Sequence, residues 1–184
     1  LGDVYKRQGV NDTNEVWYKN CMGMTARNSI YSAFSDPYTD KTTGKTIFTV
    51  SQEIKYTNKD NYGTVGLDID FSEVEEYVQN IGLLNTGFVI LVNKDGKILV
   101  NNANNAYVTD SVTSLNCWKT ISGLSSEQYD TVFSFDENVN GQNVHIVASK
   151  DAVTEWTLVG FINSSETQAT TNKIARNTVF SSIL

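Results

Sequence analysis

Short apolar runs separated by polar turns dominate this chain, and most of them carry the two-residue period of strands. From Thr46 to Ile54, Ile47, Thr49 and Ser51 alternate with Phe48, Val50 and Gln52, which predicts a strand. Asn58 to Asn61 reads as a polar turn, and Gly63 to Ile69 as the next strand. Upstream, Trp17 to Met24 predicts a short helix and Ile30 to Phe34 has period-two character. One stretch is plainly helical. Ser72 and Glu75 form an S-x-x-E capping box, Val74, Tyr77, Val78 and Ile81 make one apolar stripe, and Gly82 ends the run.

Downstream, Phe88 to Val92 is unbroken apolar sequence, as expected of a strand covered on both faces. Asn93 to Lys97 contains the Asp95-Gly96 hairpin signal, and Ile98 to Val100 returns as a strand. Asn101 to Thr113 is polar, a loop or a weak helix. Thr131 to Phe135, Val144 to Ala148 and Thr157 to Ile162 predict three further strands, the first two joined at Asn140-Gly141. Asn163, with Glu166 three residues on, predicts the cap of a last helix that carries Ile174, Val179, Phe180, Ile183 and Leu184.

The pattern contains an echo. Thr64-Val65-Gly66-Leu67 and Leu158-Val159-Gly160-Phe161 each precede a capped helix. The expected architecture is therefore α+β, in two lobes of similar plan, each an antiparallel sheet flanked by helices. The boundaries predicted are 9–82 for the first lobe, 83–163 for the second and 164–184 for a terminal helix. Leu1 to Gln8 fits nothing that follows and resembles a translated adapter scar, so the natural N-terminus is expected to lie outside this sequence.

Composition narrows the function. The chain has 184 residues and is 40% hydrophobic, enough for real cores. Its 14 basic and 21 acidic residues give a net charge of −7, a poor match for nucleic acid. Cys21, Cys117 and the single His145 lie in no zinc-ligand spacing, so neither a metal nor a cofactor is expected. The thiols read as two partly buried cysteines, with a disulfide between them left open by sequence. His145 reads as a solvated strand residue. No run approaches the about 18–20 apolar residues of a membrane span. No nucleophile elbow, phosphate loop or dinucleotide fingerprint appears, and an enzyme is not expected.

Four separated motifs then line up. They are Trp17-Tyr18-Lys19, Ser35-Asp36-Pro37-Tyr38-Thr39-Asp40, Thr43-Gly44-Lys45 and Gly63 to Ile69, with the strand–turn–strand Gly87 to Leu99 following them. Their order resembles that of double Cache sensor domains over about residues 15–162, and Gly87 to Leu99 is similar to the opening of a PAS-like lobe. That resemblance implies two PAS-like lobes lacking the family's long N-terminal stalk helix. It further implies an extracellular or periplasmic, membrane-anchored sensor with a possible homodimer in the full receptor, a small-molecule ligand in the distal lobe, and output through the terminal helix. By the same resemblance the ligand residues are Trp17, Tyr18, Tyr38, Asp40 and Asp68, while Glu15 occupies the place of the family's carboxylate-binding arginine.

The chemistry of that set is readable without the family. An ammonium leaving water needs anionic acceptors, which Asp40 and Asp68 offer, and ring faces such as Trp17 and Tyr38, worth about 0.5–2 kcal/mol each. Glu15 in place of arginine removes a bidentate partner for a carboxylate and adds repulsion, a change of about 2–5 kcal/mol. The expectation is an amine ligand without a carboxylate: a biogenic amine, a diamine or a quaternary ammonium. An amino-acid ligand with Arg27 or Lys19 as the cation, and a protein-binding module, are the alternatives. Each residue also has a plainer reading: Trp17 and Tyr18 as lobe core, Asp40 as a local cap, Asp68 as a surface position on a half-solvated strand.

Overall fold

A computed structural model describes residues 12–23, 32–55, 61–102, 111–139 and 141–170. The chain forms two compact units, Leu1–Ser72 and Glu73–Leu184, dividing ten residues before the 82/83 boundary expected from the sequence.

The first unit is built on one long hairpin. Strands β3 (Thr46–Lys55) and β4 (Asn61–Asp70) pair antiparallel from Ile47↔Asp70 to Lys55↔Asn61. The other edge of β3 is shared by two short strands, β1 (Ser32–Phe34) and β2 (Tyr38–Thr39). Ser35 bridges them: its N–H donates to the Thr49 carbonyl at 3.0 Å and its Oγ accepts the Thr49 N–H at 2.8 Å. Helix α1 (Val16–Gly23) lies on one face of this hairpin, where Ser51 Oγ donates to the Trp17 carbonyl at 3.0 Å. Cys21, Ala33, Ile47, Phe48 and Phe71 are buried, with Phe48 and Phe71 edge-to-face at 6.2 Å. The opposite face leaves Ile54, Val65 and Leu67 more than half exposed.

The second unit carries α2 (Ser72–Gln79, its first residue at the boundary), β5 (Phe88–Val92), β6 (Ile98–Asn101), α3 (Asn116–Ser122), β7 (Val132–Val139), β8 (Gln142–Lys150) and β9 (Thr157–Asn163). The sheet runs β6-β5-β9-β8-β7, entirely antiparallel. This second–first–fifth–fourth–third order is the PAS-like arrangement. It puts β5 and β9 in the centre, which is why Phe88 to Val92 is apolar without alternation. Ile90, Val92, Val144, Ile146, Ala148, Val159 and Phe161 pack against Cys117 and Ile121 of α3 as one core.

The strands follow the predicted pattern but several run longer, β8 at both ends and β7 at its C-terminal end, where it continues through Asp136, Glu137 and Asn138. Helix α3 was not anticipated. In α2, Val78 is buried but Tyr77 is 72% exposed, so the apolar stripe is narrower than its spacing suggests. The helix start is held by Asp70, whose Oδ1 accepts the Ser72 N–H (3.0 Å) and hydroxyl (2.6 Å); among the described residues Glu75 closes no capping box. Asn163 plays the same part for the helical residues 164–170, taking the Ser165 N–H at 3.0 Å and hydroxyl at 2.7 Å. Glu166 reaches elsewhere: its two oxygens accept from the backbone N–H and side chain of both Asn85 and Thr86. These four bonds hold its carboxyl down at about 2, the Thr86 hydroxyl and Asn85 N–H contributing most. Beyond residue 170, the predicted terminal helix lies outside the described residues, as do Leu1 to Gln8 and Arg27.

Cys21 and Cys117 are buried free thiols. Burial, and then the nearby Glu137 carboxylate, push the Cys117 thiol up to about 11. His145 sits on the outer side of β8 with Nδ1 3.0 Å from Asp136, its cross-strand neighbour. Among the described residues no helix is long and apolar enough to cross a membrane.

Candidate functional site

Five of the six residues singled out in the sequence gather on the α1 side of the first unit's hairpin, and the sixth sits in the turn beside them. Alternation decides the membership. Ile47, Thr49 and Ser51 of β3 share a face with Gly66, Asp68 and Asp70 of β4, because these positions pair directly across the ladder. Gly66 leaves room for the helix above it. A Cβ there would stand 3.2 Å from Thr49 Cγ2 and 3.3 Å from Trp17 Cε3, so the indole can lie down on the strand. Trp17 and Tyr18 meet edge-to-face at 5.9 Å.

At the centre, a three-residue hydrogen-bond relay crosses the sheet. Tyr38 Oη stands 2.6 Å from Thr49 Oγ1, which donates to Asp68 Oδ1 at 2.7 Å. Thr49 is 1% exposed, and its backbone N–H is fixed by Ser35. Burial raises the phenol of Tyr38 above its ordinary range; the bond to Thr49 opposes this, and the charges of Asp68, Asp40 and Glu15 add to it. Three of the expected carboxylates thus act on one hydroxyl.

They are not equally available. Asp40 accepts the Thr42 and Thr43 N–H groups (3.2 and 2.8 Å) and the Thr43 hydroxyl (2.6 Å), closing its own turn with Gly44 in the left-handed region at φ 71°. This is the local cap that its sequence also allowed. Glu15, just ahead of α1, is paired with Lys41 Nζ at 2.8 Å. Asp70 holds Lys45 at 3.1 Å besides capping α2. Asp68 differs: Thr49 supplies one bond to Oδ1, and among the described residues nothing donates to Oδ2. Lys19 is exposed, and Arg27 lies outside the described residues.

Thr49 and Lys41 were missed from sequence. The face of Thr49 was legible from alternation, but its pairing with Asp68 depends on register. Lys41 comes from a turn that carries no periodic signal. Among the described residues no group of His, Cys, Asp and Glu side chains could hold a metal ion.

The fold is shared with solved structures. Solved relatives by structure include the ligand-binding domain of the Pseudomonas fluorescens chemoreceptor CtaA in complex with L-isoleucine (TM-score 0.57, 20% identity, 91% of this chain and 65% of that one). The periplasmic sensory domain of the Campylobacter jejuni chemoreceptor Tlp1 superposes with a TM-score of 0.61 at 16% identity, covering 82% of this chain and 55% of that one.

The chain has the fold of a Cache-like chemoreceptor ligand-binding domain.

By sequence, the chain matches the methyl-accepting chemotaxis protein TlpB of Bacillus subtilis (strain 168), 23% identical over 172 residues. The match takes in 94% of this chain but 23% of TlpB, so the chain spans under a quarter of that relative's length. No family model matches the chain.

Proposed function

We propose that this chain is the extracytoplasmic sensing region of a bacterial transmembrane chemoreceptor, and that it binds a small ammonium-bearing molecule on the α1 face of the first unit. It acts by binding, without catalysis, and signals through the helix that begins at residue 164. In the full receptor it is membrane-anchored and works as a homodimer. The sensing role is supported by the fold and by the likeness to TlpB and to the periplasmic domain of Tlp1.

One observation carries the ligand class. Asp68 presents an oxygen with no donor among the described residues, linked through Thr49 to Tyr38, on the face where the Trp17 ring covers Gly66, in a field made negative by Glu15 and Asp40. Anionic acceptors and a ring face are what an ammonium leaving water requires. Glu15 at the place of the family's arginine favours an amine that lacks a carboxylate. A second reading, an α-amino acid, is favoured by CtaA, solved with L-isoleucine, and by Lys41 on Glu15, which brings a cation to that position.

Calorimetry with isoamylamine and L-leucine, which differ only by the carboxylate, separates the two. Binding of isoamylamine, weakened about 30-fold or more in Asp68→Ala and clearly in Trp17→Ala, is the expected result. Binding of L-leucine alone would move the ligand class to amino acids. Binding of neither, across a panel of both kinds, would remove the ammonium reading.

A further inference from the structure

The relay has a direction, and we infer that Thr49 uses it to set ligand specificity: the site takes a protonated primary amine head and discriminates against its N-methylated forms. This rests on the ammonium reading above and narrows it, since charge and ring faces alone would also accept a quaternary ammonium.

Hydrogen count fixes the direction of each bond. A threonine hydroxyl has one proton, and a carboxylate can only accept. Thr49 therefore gives its proton to Asp68 Oδ1, at 2.7 Å. The 2.6 Å contact with Tyr38 then runs one way, with the phenol donating to Thr49 Oγ1. Thr49 is 1% exposed and its N–H is tied to Ser35 Oγ, so neither rotation nor water readily reverses the arrangement. Both ends of the relay are left as acceptors: the outer lone pair of Tyr38 Oη and Oδ2 of Asp68. Such a site is complete only when the ligand supplies N–H donors. A primary ammonium brings three. Each methyl replaces a donor with an apolar group facing an acceptor that water otherwise solvates. Trp17 pulls the other way, because a ring face attracts a quaternary head as readily as a primary one. Thr49 is thus a positioning residue, acting through Tyr38 and Asp68.

The test is calorimetry at pH 7 on the whole chain with two series: butylamine and its N-methyl, N,N-dimethyl and N,N,N-trimethyl forms, and L-norvaline with its N,N,N-trimethyl betaine. Affinity is expected to fall stepwise, about 30-fold from primary to quaternary. Thr49→Val should shrink that span to about threefold while Thr49→Ser keeps it; a purely structural role would weaken every member equally. Should Thr49→Val not fold, Tyr38→Phe serves in its place, since it deletes one acceptor and must narrow the span. A quaternary form binding as tightly as its primary amine would overturn the polarity and leave the ammonium sensor standing, as would a span unchanged in Thr49→Val. Failure of both series to bind would overturn the ammonium reading along with it.

Discussion

The two units use one device to opposite ends. Each closes its sheet with a strand whose last residue caps a following helix, Asp70 for β4 and Asn163 for β9, both through bonds to a serine two residues on. Aligned on those caps, Thr49, Ser51 and Asp68 of the first unit correspond to Ile146, Ala148 and Phe161 of the second. In the second unit these three are buried in one apolar core under α3. In the first, two are buried hydroxyls and the third is an exposed carboxylate. The carboxylates tell the same story. Asp68 keeps an oxygen without a donor among the described residues, whereas Glu166 has both oxygens filled by Asn85 and Thr86. One carboxylate is completed by its own unit; the other keeps an open acceptor, where the proposed ligand would bind.

The comparison breaks most easily at Ile146. Fully buried, it contributes packing that Thr49 at the matching place does not. Ile146→Ala should cost about 2–5 kcal/mol, read as a lower denaturation midpoint, with ligand affinity measured below the transition unchanged. A loss of affinity without a loss of stability would mean that the second unit takes part in binding.

A smaller effect separates the two glycines. A Cβ at Gly66 would meet Thr49 and Trp17, while one at Gly160 would meet Leu83 Cδ2 at 2.7 Å. Gly66→Ala and Gly160→Ala should each destabilise by about 1–3 kcal/mol, but Gly66→Ala alone should weaken ligand binding, several-fold, by lifting the indole off the strand. Equal effects on affinity would remove Trp17 from the site.

Those glycines also show where sequence reading reached its limit. The echo that suggested two like lobes aligned Gly66 with Gly160, yet Gly66 lies four residues before its cap and Gly160 three before its own. They therefore face opposite sides of their sheets, and the match was one residue out of register with the real repeat. The strands were legible because their periods are local; β5 shows its central place by its composition alone. Helix α3 was not, because it is seven residues long and starts at Leu115, which offers no side-chain cap. The tail of β7 was hidden because Asp136 and Asn138 point to solvent from an edge strand. At the site, residue types were readable but commitments were not. Nothing local distinguishes Asp40, bound into its own turn, from Asp68. Glu166, with the spacing of a capping-box partner, makes its bonds about eighty residues away instead.

The last test bears on that clasp. Glu166 titrates from an ordinary 4.5 down to about 2, chiefly through the Thr86 hydroxyl and the Asn85 N–H. Its carboxylate form is favoured in the folded state, so its contribution is fully present above about pH 4.5 and is lost as pH falls toward 2. Asp70 behaves alike, from 3.8 to about 2, through the Ser72 hydroxyl and N–H and then Lys45. Both groups are well solvated, so the change is small, a few degrees in Tm across that window. Glu166→Gln should flatten the acid limb of the Tm profile, because an amide does not titrate, and should lower Tm at neutral pH, because its NH2 cannot accept the bonds that Thr86 donates. A carboxylate filled by its own fold stabilises that fold at neutral pH and makes it sensitive to acid. An acid limb unchanged in Glu166→Gln would show that the clasp contributes no stability, and would end the claim that the second unit is completed by its own bonds.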